Sequence, residues 1–328
     1  MFLVKKYPSK SKVYNQYWHF AKLRQDIFFD RISGKCHPWS DDDVLNTYKF
    51  TNAYRASDRV SQYLIKNVIY TGNHNVAEVF FRTILFKLFN KIETWQILID
   101  SFGEVCIKDF SFEDYDRVLT NALSNGKRIY SAAYIMPSRG YPSIHKKKHR
   151  MHLDLISKML TDDLPNKVST TKSLKEVFNL LLSYPGIGKF LAYQYTIDLN
   201  YSDIINYSEM DFVVAGPGAV NGIKKCFTDT DGLSYEDIVK YVTDNQDHEF
   251  ERLNIPFKNL WGRPLQLIDC QNLFCEIDKY SRVKFPEYSY LTGRTRIKQK
   301  YSENKNCISY WYPPKWGLNE NIKSGITP

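Results

Sequence analysis

LLLSYPGIGKFLAYQYTIDLNYSDIINYSEMDFVVAGPGAVNGI, residues 180–223, is the stretch from which the fold is read. An apolar helix closes at Tyr184, the turn Pro185-Gly186-Ile187-Gly188 follows, and a second helix starts at once. Glycines in such a turn reach positive φ and leave their N–H groups open. Beside a helix N-terminus those groups can hold a phosphate without reading sequence. Gly186, Gly188 and Lys189 are therefore candidates for contact with a nucleic-acid backbone, although a plain turn between two helices would use the same residues. Asp211 follows Gly186 by 25 residues and is predicted to open the next helix, 211–226, either as its N-cap or as a reacting carboxylate.

Outward from this stretch the apolar residues keep helical spacing. Helices are predicted over 45–69 (two, meeting near Phe50), 75–100, 111–124, 150–160, 171–183, 187–198, 234–244 and 262–282, and Ser40 is placed as an N-cap. No run of alternating strands and no repeat interrupts them, so the class is mainly α. Residues 14–35 read as an extended arm or a short helix. The expected division is an N-terminal arm (1–36), a helical domain with a polar site (37–145), a second helical domain (146–285) whose helix 262–282 packs back on the first, and a basic, aromatic tail (286–328).

The chain of 328 residues carries a net charge of +9 and holds 24 Tyr and 20 Phe. A polyanionic partner fits that balance, as does a basic protein kept soluble by its charge. No apolar run is long enough for a membrane helix and the start lacks the pattern of a signal peptide, so a cytoplasmic protein is expected. Six cysteines, at 36, 106, 226, 270, 275 and 307, form no C-x-x-C pair. No metal and no cofactor are expected. The sequence contains no G-x-x-x-x-G-K-[ST] loop, so the chain is not expected to be itself the kinase.

Several polar residues interrupt apolar patterns. Asn52, Arg55, Asp58 and Arg59 stand at i, i+3, i+6 and i+7 of a predicted helix. Arg82 lies within an apolar helix, where a lone charge is costly, and is expected to pair with Glu93 or Asp58 or to reach a phosphate. Asn90 and Glu93 share a face, and Asp269, Asn272, Glu276 and Lys279 form a stripe on the 262–282 helix. All of these suit a substrate site; a buried ion-pair network would look the same. Lys146, Lys147, Lys148 and Arg150, with Arg294, Arg296, Lys298 and Lys300, suit phosphate contacts or a solvated loop. The tail SYWYPPKW, 309–316, suits packing on the body or covering a groove.

Two resemblances join these observations. Residues 180–223 resemble the helix–hairpin–helix superfamily of DNA glycosylases, whose hairpin reads L-P-G-[VI]-G and whose catalytic aspartate opens the next helix; Asp211 holds that position. Members that also cleave the strand carry a lysine where this chain has Phe190, with Lys189 one residue off, so a lyase step is not implied. PWSDDDVLNTYKFTNAYRASDRVSQYLI (38–65), FFRTILFKLFNKIETW (80–95) and LQLIDCQNLFCEIDKYSR (265–282) are similar to the α-glutamyl/putrescinyl thymine pyrophosphorylase family and to the kindred helical domain of 5-hydroxymethyluracil DNA kinases. Together the resemblances span residues 38–282 and imply a two-lobed, glycosylase-like helical fold acting on double-stranded DNA with modified bases, such as phage DNA.

The activity they imply first is a DNA glycosylase that flips out a hydroxymethylated or glycosylated pyrimidine and excises it, in anti-phage defence. Asp211 would stabilise the sugar cation or orient a water, leaving an abasic site. The alternative is a transferase that replaces pyrophosphate on activated 5-hydroxymethyluracil with an amine or amino acid. Arg55, Arg59 or Arg82 would then meet the leaving group, and Asp269 or Glu276 would take the amine's proton. A second alternative is a non-catalytic module that binds modified DNA.

Overall fold

The computed structural model describes residues 7–132, 145–302 and 308–323. It is mainly helical: the only described strands, Ser9–Lys10 and Phe227–Asp229, form one antiparallel pair. No helix among the described residues is long and apolar enough to cross a membrane.

The described chain folds as two units. One gathers residues up to Asp58, Phe212–Tyr310 and the segment from Leu318; the other gathers Arg59–Asp211 and Trp311–Gly317. These units cut across the four consecutive segments read from the sequence, because helices distant in sequence complete one another's apolar faces.

In the first unit, residues 14–35 are not an arm. All but the last three belong to a helix of 21 residues, Lys12–Ile32, capped by Ser11, whose side chain accepts from the Val13 N–H at 3.1 Å. Tyr14, Tyr17, Trp18 and Phe20 are fully buried in the core. That burial, rather than intrinsic propensity, fixes the helix. The helix packs against Leu267–Lys284, which also crosses Pro217–Cys226 closely. A Cβ on Gly222 would lie 1.9 Å from the Phe274 carbonyl oxygen, so only glycine permits this approach. Lys225, fully buried, pairs with Asp278 at 2.9 Å at the same crossing.

In the second unit, Val76–Phe89 is the central helix, and nearly every residue in it is buried. The single helix expected over 75–100 is two: the first ends at Asn90 in the left-handed region (φ 49°), and Ile92–Phe102 follows. Leu174–Leu182 and Lys189–Asn200 flank the Pro185–Gly188 turn, in which Gly186 has φ +79°.

The region 45–69 departs furthest from expectation. Asp42 rather than Ser40 caps a short helix, Asp43–Thr47; the chain then runs extended to a 3-10 turn, Arg55–Ser57, before Arg59–Leu64 and a π-turn, Ile65–Ile69. The expected helix 211–226 begins only at Pro217, because proline at the first helical position sets the start there.

Candidate functional site

Although Asn52, Arg55 and Asp58 do not share an α-helix, the first unit gathers them with Asp269, Glu276 and Lys279. The extended segment 50–52 is held from both sides. Buried Arg24 donates from Nε to the Thr51 carbonyl (2.8 Å) and from Nη2 to the Phe50 carbonyl (3.3 Å) and Asn52 Oδ1 (3.2 Å). The Thr51 N–H donates to Glu276 Oε2 at 3.1 Å, and the Asn52 N–H donates to Asp58 Oδ1 at 2.9 Å. Asn52 Nδ2 donates to the Ser57 carbonyl at 2.7 Å, closing the turn. From the Leu267–Lys284 helix, Asp269 accepts the Arg55 N–H at 2.8 Å through Oδ1 and the Gln266 N–H at 3.0 Å through Oδ2. Lys279 Nζ reaches Glu276 at 2.8 Å and the Lys49 carbonyl at 3.1 Å, and lies 4.9 Å from the centre of the Phe50 ring. Asn272 is half-buried, one turn from both Asp269 and Glu276.

The electrostatics of this cluster are unbalanced at one point. Burial pushes the Asp58 carboxyl up to about 7, assisted by the like charge of Glu276 and opposed by the Asn52 amide, Arg24 and Arg55. Burial lowers Arg24, against the pull of Asp58 and Glu276. Tyr310 of the tail packs edge-on against Phe28 at 5.0 Å and feels both Asp58 and Arg24; burial raises its phenol to about 12.

An exposed basic ribbon adjoins the cluster. Residues 299–301 pair with 47–49: the Lys49 N–H donates to the Gln299 carbonyl at 3.1 Å, and the Tyr301 N–H to the Thr47 carbonyl at 2.9 Å. Arg294, Arg296, Lys298 and Lys300 along this ribbon are all exposed. The ribbon can carry a phosphate backbone, while the carboxylate, amide and ammonium groups beneath 47–52 offer hydrogen bonds to the polar edge of a base.

The other residues singled out in the sequence lie in the second unit. Buried Arg82 pairs with neither Glu93 nor Asp58. It donates to the carbonyls of Val68 (3.0 Å) and Asn73 (2.8 Å) and faces Glu78 at 3.7 Å, fastening the end of the π-turn. Asn90 closes the central helix and accepts from Lys87 Nζ at 2.8 Å; Lys87 in turn pairs with buried Asp198 at 3.2 Å. Glu93 is exposed and loosely paired with Arg59 at 3.7 Å. Asp211 stands exposed in a bend, six residues ahead of the Pro217–Cys226 helix, and neither caps nor opens it. Gly188 and Lys189 are exposed at the hairpin. Lys146 and Lys147 are exposed, whereas Lys148 lies 4.3 Å from the centre of the Tyr130 ring and Arg150 pairs with Asp116 at 2.6 Å. In the tail, the Trp311 N–H donates to Gln62 at 2.7 Å and Tyr312 is fully buried, so this part packs on the body.

Arg24 was missed in the sequence. Its signal was available: a lone charge in the stripe Tyr17, Phe20, Arg24, Phe28, the same pattern that singled out Arg82.

A family model described as "5-hmdU DNA kinase, helical domain" matches residues 11–290. A 5-hmdU DNA kinase of Bacillus phage SP10 is 29% identical over 314 residues, covering 88% of this chain and 48% of that relative. The chain thus spans about half the length of the curated relative it matches. No solved structure matches. Both matches are to phosphorylating enzymes, which overturns the expectation of a hydrolytic glycosylase that leaves an abasic site. They equally overturn the pyrophosphate-displacing transferase.

Proposed function

We propose, for a chain that belongs to the 5-hmdU DNA kinase helical-domain family, that the protein serves the phosphorylation of 5-hydroxymethyl-2′-deoxyuridine in DNA by receiving the acceptor base. One observation carries this reading: seven polar or charged side chains that stand more than 200 residues apart in two stretches of the sequence, Asn52, Arg55 and Asp58 in one and Asp269, Asn272, Glu276 and Lys279 in the other, belong to one unit beside an exposed basic ribbon. A base must leave the stack before a kinase can reach its 5-substituent, which costs on the order of a few kcal/mol that backbone contacts must offset. Arg294, Arg296, Lys298 and Lys300 supply such contacts, and the cluster beneath them takes the extruded base. The Asn272 amide is suited to a uracil edge, which presents a carbonyl acceptor next to an N–H donor.

The hairpin between Leu174–Leu182 and Lys189–Asn200 is read as a separate backbone contact of the helix–hairpin–helix kind. It is supported by the positive φ of Gly186 and the exposure of Gly188, Lys189, Lys146 and Lys147.

The test is to incubate the protein with a nucleoside triphosphate and duplexes that differ only in thymine or 5-hydroxymethyluracil, then to digest them and weigh the nucleosides. The reading predicts a gain of one phosphoryl group on 5-hydroxymethyl-2′-deoxyuridine alone. An unmodified nucleoside pool from both duplexes contradicts it.

A further inference from the structure

We propose that Asp58 is the proton acceptor of this phosphorylation: its carboxylate takes the hydroxyl proton of the 5-hydroxymethyl group as that oxygen attacks the terminal phosphorus of a nucleoside triphosphate. This rests on the acceptor role proposed above. In the step the O–H bond breaks as an O–P bond forms. The bridging P–O bond of the donor breaks, its electron pair leaves with the nucleoside diphosphate, and the proton stays on Asp58 until solvent removes it.

The carboxylates of the cluster differ in what already occupies them. Both oxygens of Asp269 accept backbone N–H groups, from Arg55 and Gln266, and the residue is 4% exposed. Glu276 accepts from the Thr51 N–H and is neutralised by Lys279 at 2.8 Å. Asp58 accepts a single hydrogen bond among the described residues, from the Asn52 N–H to Oδ1, and is part-exposed. Its second oxygen accepts from no described residue and is the one assigned to the substrate hydroxyl. Asn52, which orients the carboxylate, is itself fixed by Arg24 and by the Ser57 carbonyl, so the acceptor is held rigidly.

The charges facing it support the same role. Glu276 from the Leu267–Lys284 helix disfavours its ionised form, whereas Arg24 from Lys12–Ile32 and Arg55 from the 3-10 turn favour it; Tyr310 of the tail also lies within electrostatic reach. With burial dominant, the carboxyl titrates at about 7. A carboxylate at its usual value is a weak base toward an alcohol; one near the working pH is far better matched.

The experiment is the pH–rate profile of phosphoryl transfer to 5-hydroxymethyluracil DNA by wild type, Asp58→Asn and Asp58→Glu, with thermal unfolding and DNA affinity of each variant measured alongside. The wild-type rate is expected to rise with pH through a step near 7. Asp58→Asn, compared at saturating DNA and with its fold checked by thermal unfolding, should lose at least about 100-fold in rate and lose the step, while Asp58→Glu keeps an ionisable group and part of the rate. Full transfer by Asp58→Asn, or an unaltered step near neutral pH in that variant, overturns the assignment and leaves the acceptor role standing. Should Asp58→Asn fail to fold, an Asp58→Glu profile with no displaced step overturns it as well. Absence of transfer by wild type overturns the acceptor role itself, and this assignment with it.

Discussion

Asp58 in the first unit and Asp116 in the second are both carboxylates set among cations, and their surroundings drive them in opposite directions. Asp116 accepts from Arg150 Nη2 at 2.6 Å, lies 2.8 Å from His149 Nε2 and accepts from Thr120 Oγ1 at 3.2 Å; Arg150 first and then His149 hold it down to about 2, against burial. Asp58 has one amide donor and a like-charged neighbour, and burial lifts it to about 7. Hydrogen-bond saturation makes a carboxylate a fixed part of the fold, while desolvation without saturation leaves one ready to exchange a proton. The same contrast separates the two buried clusters. Buried Lys87 ties Asn90 and Asp198 together inside the second unit, whereas the Asp58 cluster keeps a part-exposed acid and the Asn272 amide beside a basic surface.

The sharpest way to break this contrast is Asp198→Ala, which strands buried Lys87. A loss of about 3–5 kcal/mol in denaturant unfolding is expected, as for other buried pairs deprived of one partner. A cost below about 1 kcal/mol would show that Lys87 is accommodated without its partner.

Next in size is the ribbon. Converting Arg294, Arg296, Lys298 and Lys300 together to glutamine should flatten the dependence of log affinity for DNA on log salt by roughly 3–4, at about 0.9 for each phosphate no longer neutralised. Thermal stability should stay as it was, since all four are exposed. An unchanged salt slope would remove the ribbon from the interface.

Stability against pH sharpens the comparison directly, because the two aspartates carry opposite signs. Asp116, held below its unfolded value, stabilises above about pH 4, and that contribution fades as pH falls toward 2. Asp58, raised above its unfolded value, contributes stability that is full below about pH 4 and lost as pH rises through about 7. Asp58→Asn should therefore gain on the order of 1 kcal/mol over wild type at pH 8 and nothing at pH 4. Asp116→Asn should lose about 1–2 kcal/mol at pH 7. Equal pH profiles for wild type and both variants would erase the distinction.

Smallest is the exposed pair Arg59 and Glu93, 3.7 Å apart. Arg59→Ala should change unfolding free energy by no more than about 0.5 kcal/mol. A larger effect would show that this pair belongs with the structural network of the second unit.

The sequence was legible where a helix obeys its own caps and periodicity. The helix expected over 234–244 is found as Tyr235–Asp244, begun by a Ser234–Asp237 capping box, and the one expected over 111–124 is found as Phe112–Ser124, begun by Ser111. It was illegible where tertiary contacts decide. Residues 48–54 have helical spacing but run extended, because Arg24, Glu276 and Asp58 bind their backbone groups in place of a helical ladder. The polar residues of 52–58 and 269–279 were readable as a group for the wrong reason: a shared helical face was argued, and a turn held by distant side chains brings them together. Asp211 misled because a spacing from the hairpin says nothing of where the chain leaves the helix, and Gly216-Pro217 moves the helix start beyond it. Arg82 and Asn90 look like site residues in sequence since a buried capping network uses the same polar types as a pocket.

The account depends on the Asp58 cluster being where the modified base is received. The most direct measurement is equilibrium binding, by fluorescence anisotropy, of wild type and an Asn272→Ala/Asp58→Ala variant to duplexes carrying a single 5-hydroxymethyluracil or thymine. The predicted result is tighter binding of wild type to the modified duplex, with the double variant binding both duplexes at wild type's affinity for thymine DNA. A double variant that keeps the full preference for 5-hydroxymethyluracil would contradict the account.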